Sequence, residues 1–102
     1  MKDISVEELK TRIDQGEKLH IIDVREPWEY EEFNIGGTLV PLGDLQGKID
    51  DMEDWSDDEV IVHCRSGARS AAAKDFMVRQ GFSNVRNLLG GVLAWQDMNS
   101  NS

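Results

Sequence analysis

The stretch Val60-Ile61-Val62-His63-Cys64-Arg65-Ser66-Gly67-Ala68-Arg69-Ser70-Ala71-Ala72-Ala73 decides how the chain is read. Its first three residues form a compact apolar, β-branched run of the kind found in buried strands. The alanines and the following Lys74-Asp75-Phe76-Met77-Val78 read as a helix from about Ser70 to Gln80, stopped by Gly81. A strand ending in a cysteine, then a glycine-containing turn, then a helix sets a thiol over the unpaired N–H groups of a helix N-terminus. That is an anion cradle holding a nucleophile. Free cysteine titrates near ~8.5, and a helix N-terminus beside Arg65 and Arg69 lowers that value, so Cys64 is expected to be a thiolate at neutral pH. Arg65, Ser66, Gly67, Ala68, Arg69 and Ser70 together are expected to hold an oxyanion against the sulfur. The bland alternative is a small apolar residue ending a core strand. The two flanking arginines and the strand-turn-helix setting argue against it.

Outward from this stretch the apolar pattern alternates strand with helix. Ser5-Val6-Glu7-Glu8 fits a capping box, after a minimal strand around Ile4, and Leu9 and Ile13 continue at helical spacing to Gly16. Leu19-His20-Ile21-Ile22-Asp23-Val24 reads as a buried parallel strand; His20 lies in it without a second ligand at metal-binding spacing. Pro27 opens a helix carrying Trp28, Tyr30 and Phe33, and Leu39-Val40 supplies a short strand. Leu45, Ile49, Met52 and Trp55 mark an amphipathic helix in an acidic segment. The central helix is expected to bury Ala72, Phe76 and Val78 or Met77. Val85-Arg86-Asn87-Leu88 reads as a last strand and Gly90-Gly91-Val92-Leu93-Ala94-Trp95 as a turn into a terminal helix, with Trp95 read as core in preference to lining the pocket. The fold class is therefore α/β: three layers in a single domain, a central and mostly parallel sheet of about five strands flanked by helices. The site falls at the carboxyl ends of the strands. Residues 1–97 form the domain and residues 98–102 a polar C-terminal tail.

The chain has 102 residues and a formal charge of −9, enough for one compact domain. The charge is uneven: residues 1–59 hold eighteen acids and six bases, residues 60–102 five bases and two acids. The cradle is thus locally basic in an acidic molecule, which argues against nucleic acid or an anionic membrane as partner. A single cysteine excludes an internal disulfide and suggests a reducing, cytoplasmic setting, in keeping with the expectation, if Met1 is the natural start, that no signal peptide precedes the domain. It also leaves no second thiol to resolve an adduct on Cys64, so an outside nucleophile must do so.

Three segments carry a resemblance to one family. Protein-phosphatase loops resemble His-Cys followed by five residues and then Arg, whereas here only four separate Cys64 from Arg69, making a smaller cradle that disfavours a phosphatase or arsenate reductase. The loop resembles the rhodanese pattern Cys-x-x-Gly-x-Arg, matched by Cys64, Gly67 and Arg69. Asp23-Val24-Arg25 after a strand, then Glu29-Tyr30, is similar to a second rhodanese signature, and Gly90-Gly91-x-x-x-Trp95 to a third. The resemblance implies structural support from Asp23 and Arg25, the latter paired with Glu29 or Glu32. Asn34-Ile35-Gly36-Gly37-Thr38 departs from the usual Gly-His-Ile-Pro-Gly-Ala and is expected to alter the pocket wall nearby.

What the resemblance implies is a sulfurtransferase. Cys64 attacks the outer sulfur of a donor such as thiosulfate, Arg65, Arg69 and the loop amides hold the departing oxyanion, and a persulfide on Cys64 passes its sulfur to cyanide, a thiol or a sulfur-relay protein. Neither a metal nor an organic cofactor is called for, and a monomer is expected. The competing reading is a non-catalytic, regulatory rhodanese-like module that binds a protein partner.

Overall fold

A computed structural model describes residues 2–100. Its elements in chain order are α1 (Val6–Asp14), β1 (His20–Asp23), α2 (Pro27–Glu32), β2 (Thr38–Leu39), α3 (Leu45–Lys48), β3 (Glu59–His63), α4 (Ala68–Arg79), β4 (Asn84–Asn87) and α5 (Gly91–Ser100), with 3-10 turns at Leu42–Asp44 and Ile49–Trp55. The sheet runs β2-β1-β3-β4 and every described pairing is parallel. Asp23 stands opposite His63, and Val62 opposite Asn87, so the ends of three strands meet at one edge of the sheet.

Alternation along the strands divides the core into two layers. Ile22, Val24, Val60, Val62 and Cys64 face Leu45, Ile49, Met52, Ala73 and Met77 from the α3 and α4 side. Ile61 faces Ile4, Val6, Leu9 and Leu88 on the other side, with Ala94, Trp95 and Met98 of α5 packed against them. Trp95 accordingly joins the core as expected.

The sheet has four strands where about five were expected, and the missing one explains itself. Ser5 is extended (φ −82°, ψ 160°) and its hydroxyl accepts from the Glu8 amide at 3.1 Å, so the chain enters α1 immediately after Ile4. One residue is left for pairing, and it forms a single parallel bridge, Ile4 to Leu88. The acidic segment also differs. Only Leu45–Lys48 is α-helical, and Ile49, Met52 and Trp55, three residues apart, line up along a 3-10 turn, the geometry in which such positions eclipse. Trp55 stacks on His20 with ring centroids 4.3 Å apart, and His20 Nε2 lies 3.1 Å from Asp58, which gives that histidine a packing role.

Helix α4 begins at Ala68, two residues before the expected start, and its inward face moves with it. Ser70, Ala73 and Met77 are buried, whereas Ala72 and Val78 are exposed and Phe76 is half-buried. Helix α5 runs to Ser100, so residues 98–100, assigned above to a tail, are helical; Asn101 and Ser102 lie outside the described residues.

Candidate active site

The cradle is built by opposing pulls on the loop's two kinds of backbone group. Helix α5 starts beneath the loop, and its free amides take the loop carbonyls: Val92 N–H donates to Cys64 O at 2.9 Å and Leu93 N–H to Arg65 O at 3.0 Å. Gly91 is what allows the helix this close. A Cβ there would lie 2.5 Å from Cys64 O and 2.6 Å from Arg65 O, and its φ of +56° is left-handed. With the carbonyls held on that side, the amides turn toward the sulfur. Gly67 turns the chain into α4 at φ +112°, and its N–H donates to Cys64 Sγ at 3.1 Å, joined by Ser70 N–H at 3.4 Å. The loop glycine and the Gly90-Gly91 pair are thus two halves of one device.

Ser70 Oγ also lies 3.4 Å from Sγ, but its one proton has a nearer claimant. Asn87, at the end of β4, donates Nδ2–H to Gly67 O at 3.1 Å, which turns its Oδ1 to Ser70 Oγ at 2.6 Å. The hydroxyl therefore serves Asn87 while the sulfur is a thiol and can swing to Sγ when it ionises. Burial pushes the Cys64 thiol up, and donation from the Ser70 hydroxyl and from the amides of Ser70, Gly67 and Ser66 more than offsets it, leaving the thiol below its ordinary value. Cys64 is 1% exposed, so the sulfur sits at the floor of the cradle and not in open solvent.

The two arginines of the loop part company. Arg69 makes a two-pronged ion pair with Glu29 of α2, Nη1 to Oε1 at 2.7 Å and Nη2 to Oε2 at 2.9 Å. Arg65 is exposed, has no ion pair among the described residues, and lines an open cavity of about 470 Å³. Trp28, Glu29, Glu32, Phe33 and Leu93 also line it, so it lies beside the loop at Arg65, whereas Cys64 and Arg69 are not among its lining residues. Ser66 and Ala68 are exposed on the loop. The cradle around the sulfur is therefore made of amides and a hydroxyl, and the expected pair of free guanidinium groups is reduced to one.

The pairing of Arg25 is also corrected. Its guanidinium takes Asp23, Nε to Oδ1 at 2.9 Å and Nη2 to Oδ2 at 2.7 Å, and donates to Phe33 O at 2.7 Å; Glu29 goes to Arg69 instead. Residues two apart at a strand end share a face, which makes Asp23 the nearer carboxylate. The Asp23–Arg25 pair is buried and fixes the turn between β1 and α2. His63 is buried beside it, Nε2 3.7 Å from Asp23 Oδ2, with no hydrogen-bond partner at either ring nitrogen among the described residues; burial pushes its pKa down against the pull of Asp23.

The divergent stretch after α2 does not line the cavity beside Arg65. Asn34 closes the helix by donating to Tyr30 O and accepting from Gly36 N–H, both at 3.0 Å. The wall belongs to Phe33. Asn87 is the site residue that sequence reading overlooked: in Val85-Arg86-Asn87-Leu88 it passes for an ordinary strand position. A polar residue at a buried position of an alternating strand was the available signal.

Among the described residues no group of His, Cys, Asp and Glu is arranged to hold a metal, and no helix is long and apolar enough to cross a membrane.

Comparison with known proteins agrees with this geometry. A Bacillus subtilis protein named "Putative sulfur carrier protein YrkF" is 38% identical over 94 residues, which are 91% of this chain and 50% of that protein, so the chain spans half of its length. A sulfurtransferase of Allochromatium vinosum is 32% identical over 96 residues, 93% of this chain and 88% of its own. The crystal structure of a rhodanese-related protein from Thermoplasma volcanium superposes with a TM-score of 0.83 at 29% identity, covering 96% of this chain and 93% of that one. With the family model described as Rhodanese-like domain matching residues 5–98, the chain belongs to the rhodanese-like family.

Proposed function

We propose that the protein moves sulfane sulfur from a donor such as thiosulfate to a thiophilic acceptor through a persulfide on Cys64. The observation that carries this is the convergence of the Gly67 and Ser70 amides on the chain's one sulfhydryl, which lowers the cost of its thiolate. In the first step Sγ attacks the outer sulfur of the donor. The Sγ–S bond forms, the donor's S–S bond breaks, and the electron pair leaves with sulfite. In the second step a thiolate or cyanide attacks the terminal sulfur, and Sγ departs as thiolate, ready for another cycle. Both steps use the same preorganised donors, since both pass negative charge through Sγ. The family membership and the relatives named for sulfur transfer and sulfur carriage support the reading. The single cysteine fits work in a reducing compartment such as the cytoplasm.

A protein acceptor is the version of step two that the surface beside Arg65 favours. Trp28 is 65% exposed and Leu93 43%, and with Phe33 they form an apolar rim beside Arg65, the composition of a docking surface. This rim is also what the competing reading, a binding module without catalysis, would use. Intact-mass measurement separates the two. Incubation with thiosulfate or with an organic persulfide is expected to add one sulfur atom, removable by cyanide and absent from Cys64→Ala. A wild-type protein whose thiol alkylates normally, yet takes no sulfur from either donor, is a binding module.

A further inference from the structure

The sheet ends at β2, and outside that edge lies a groove that the site described above does not use. Leu39, Val40 and Pro41 on the strand side and Met52 and Trp55 on the 3-10 turn line a space of about 340 Å³. Val40 and Met52 are buried and the other three half-buried, so the lining is apolar and still open to solvent. Two further features border it. The first is main chain. Thr38 and Val40 turn their peptide groups toward β1, Val40 N–H donating to Asp23 O at 2.8 Å, so the N–H and C=O of Leu39 between them point off the sheet. The edge is blunted on both sides of that residue, because Gly37 O accepts from the Tyr30 hydroxyl at 2.9 Å and Pro41 has no N–H. The second feature is charge. From residue 44 to residue 59 the chain carries eight carboxylates and one base, Lys48. Asp58 lies against His20, and Glu59 is paired with Arg12 and Arg86; the other six carboxylates and Lys48 have no ion pair among the described residues. Asp44 and Asp51, both exposed, line the groove itself.

We infer that this groove docks an extended, lysine- or arginine-bearing segment of a protein partner. Each feature answers one property of such a segment: the apolar lining takes a side chain, the Leu39 peptide groups pair with its backbone, and the carboxylates attract its flanking cations. A second copy of this chain is a poor occupant, since at a net charge of −9 it would set acid against acid. The placement gives the groove a use. Only β1 separates β2 from β3, a span of about 10 Å across the sheet. Val40, Met52 and Cys64 belong to the same layer of the core, and the Leu42–Asp44 turn packs against α4, the helix that follows the cysteine loop. A partner anchored here is held at the same end of the sheet as Cys64. It leaves the loop and the cavity beside Arg65 uncovered, because none of their residues line the groove. Docking of this kind does not depend on what Cys64 does with sulfur.

The test titrates the isotope-labelled full chain with the synthetic peptide acetyl-Lys-Val-Lys-Leu-Lys-Val-Lys-amide, and with its counterpart carrying Glu at every Lys, while amide and indole NMR shifts are followed. The lysine peptide should move the amides of Leu39, Asp44 and Met52 and the indole of Trp55, and should bind at least about tenfold more tightly than the glutamate peptide. Reversing both lip charges, Asp44→Lys with Asp51→Lys, should weaken the lysine peptide at least about tenfold. Leu39→Ser, which removes part of the apolar wall and adds no charge, should weaken it at least about threefold. The side chains of Asp44 and Asp51 make no hydrogen bond among the described residues, and the spectra themselves show whether each variant is folded. Shifts spread over other acidic surface, such as Glu7 and Glu31, with Leu39→Ser binding as wild type, mean attraction by charge alone and overturn the assignment. So does the absence of localised shifts with the lysine peptide up to millimolar concentration. Shifts at these amides that follow protein concentration without any peptide give the groove to a second copy and overturn it too.

Discussion

Replacing Asn87 by aspartate should raise the pKa of Cys64, and the structure sets the size of the effect. Asn87 Oδ1 lies 2.6 Å from Ser70 Oγ, which lies 3.4 Å from Sγ, so a carboxylate oxygen at this position is within about 6 Å of the sulfur. At that separation and an effective dielectric near 20, a unit negative charge costs the thiolate about 3 kcal/mol, equivalent to about 2 pKa units. Partial protonation of the new carboxyl, which also loses the donor that Asn87 offers Gly67 O, relieves some of the cost. The expected rise is therefore about 1–2 units. Because Cys64 is the one cysteine, the pH dependence of iodoacetamide alkylation, followed by intact mass, reports this group alone. Asn87→Ala isolates the charge. It removes the acceptor that competes for the Ser70 proton without adding a carboxylate, so the apparent pKa should stay level or fall. An unshifted or lowered pKa in Asn87→Asp, in protein that remains folded, would refute the claim that Asn87 governs the ionisation of Cys64 through Ser70.

Other expectations follow from the same contacts. Gly91→Ala should destabilise by about 1–3 kcal/mol in urea unfolding and slow sulfur loading, since its Cβ meets two loop carbonyls. Gly47→Ala, exposed in α3 with nothing within 4 Å, should instead stabilise by about 0.5–1 kcal/mol. Asp23→Ala leaves Arg25 buried without its carboxylate and should cost about 3–5 kcal/mol, checked by the same unfolding assay. Hydrogen bonds from Arg69 and from Arg12 hold Glu29 and Glu59 at about 2, below the ordinary 4.5. A depressed carboxylate stabilises the fold above its unfolded pKa and loses that contribution as pH falls through the folded one. Stability should therefore decline from about pH 4.5 to about pH 2. In Glu59→Gln that decline should be shallower, and an equal slope would exclude Glu59 as a source.

Local signals made much of this legible beforehand. The Val60–Val62 run, the Ser5 cap and the glycines at 67, 90 and 91 each act within a few residues, and each sits where its chemistry places it. The pairing of Arg69 with Glu29 was hidden because those residues stand 40 positions apart, and a guanidinium near several acids has no partner until the chain is folded. The resemblance pointed to Glu29 or Glu32 for Arg25, yet Asp23, two positions before it on the same face, lay nearer. The start of α4 was misjudged for a related reason. A left-handed glycine can begin a helix as well as end one; of the expected set Ala72, Phe76 and Val78 or Met77, Met77 is buried and Phe76 half-buried, while Ser70 and Ala73 take the place of Ala72. Asn87 required knowing that β4 lies beside β3, so that Val62 and Asn87 are neighbours.

The depth of Cys64 has an effect on the timing of its reactivity. At 1% exposure the resting atom is sheltered from bulky oxidants, which lengthens the working life of a residue that has no spare. One added sulfur carries the electrophilic tip about 2 Å beyond Sγ, the length of the new bond. On the proposed mechanism, charging the protein would thus change its reach as well as its chemistry, and a thiol too large to touch the empty form could still collect the cargo.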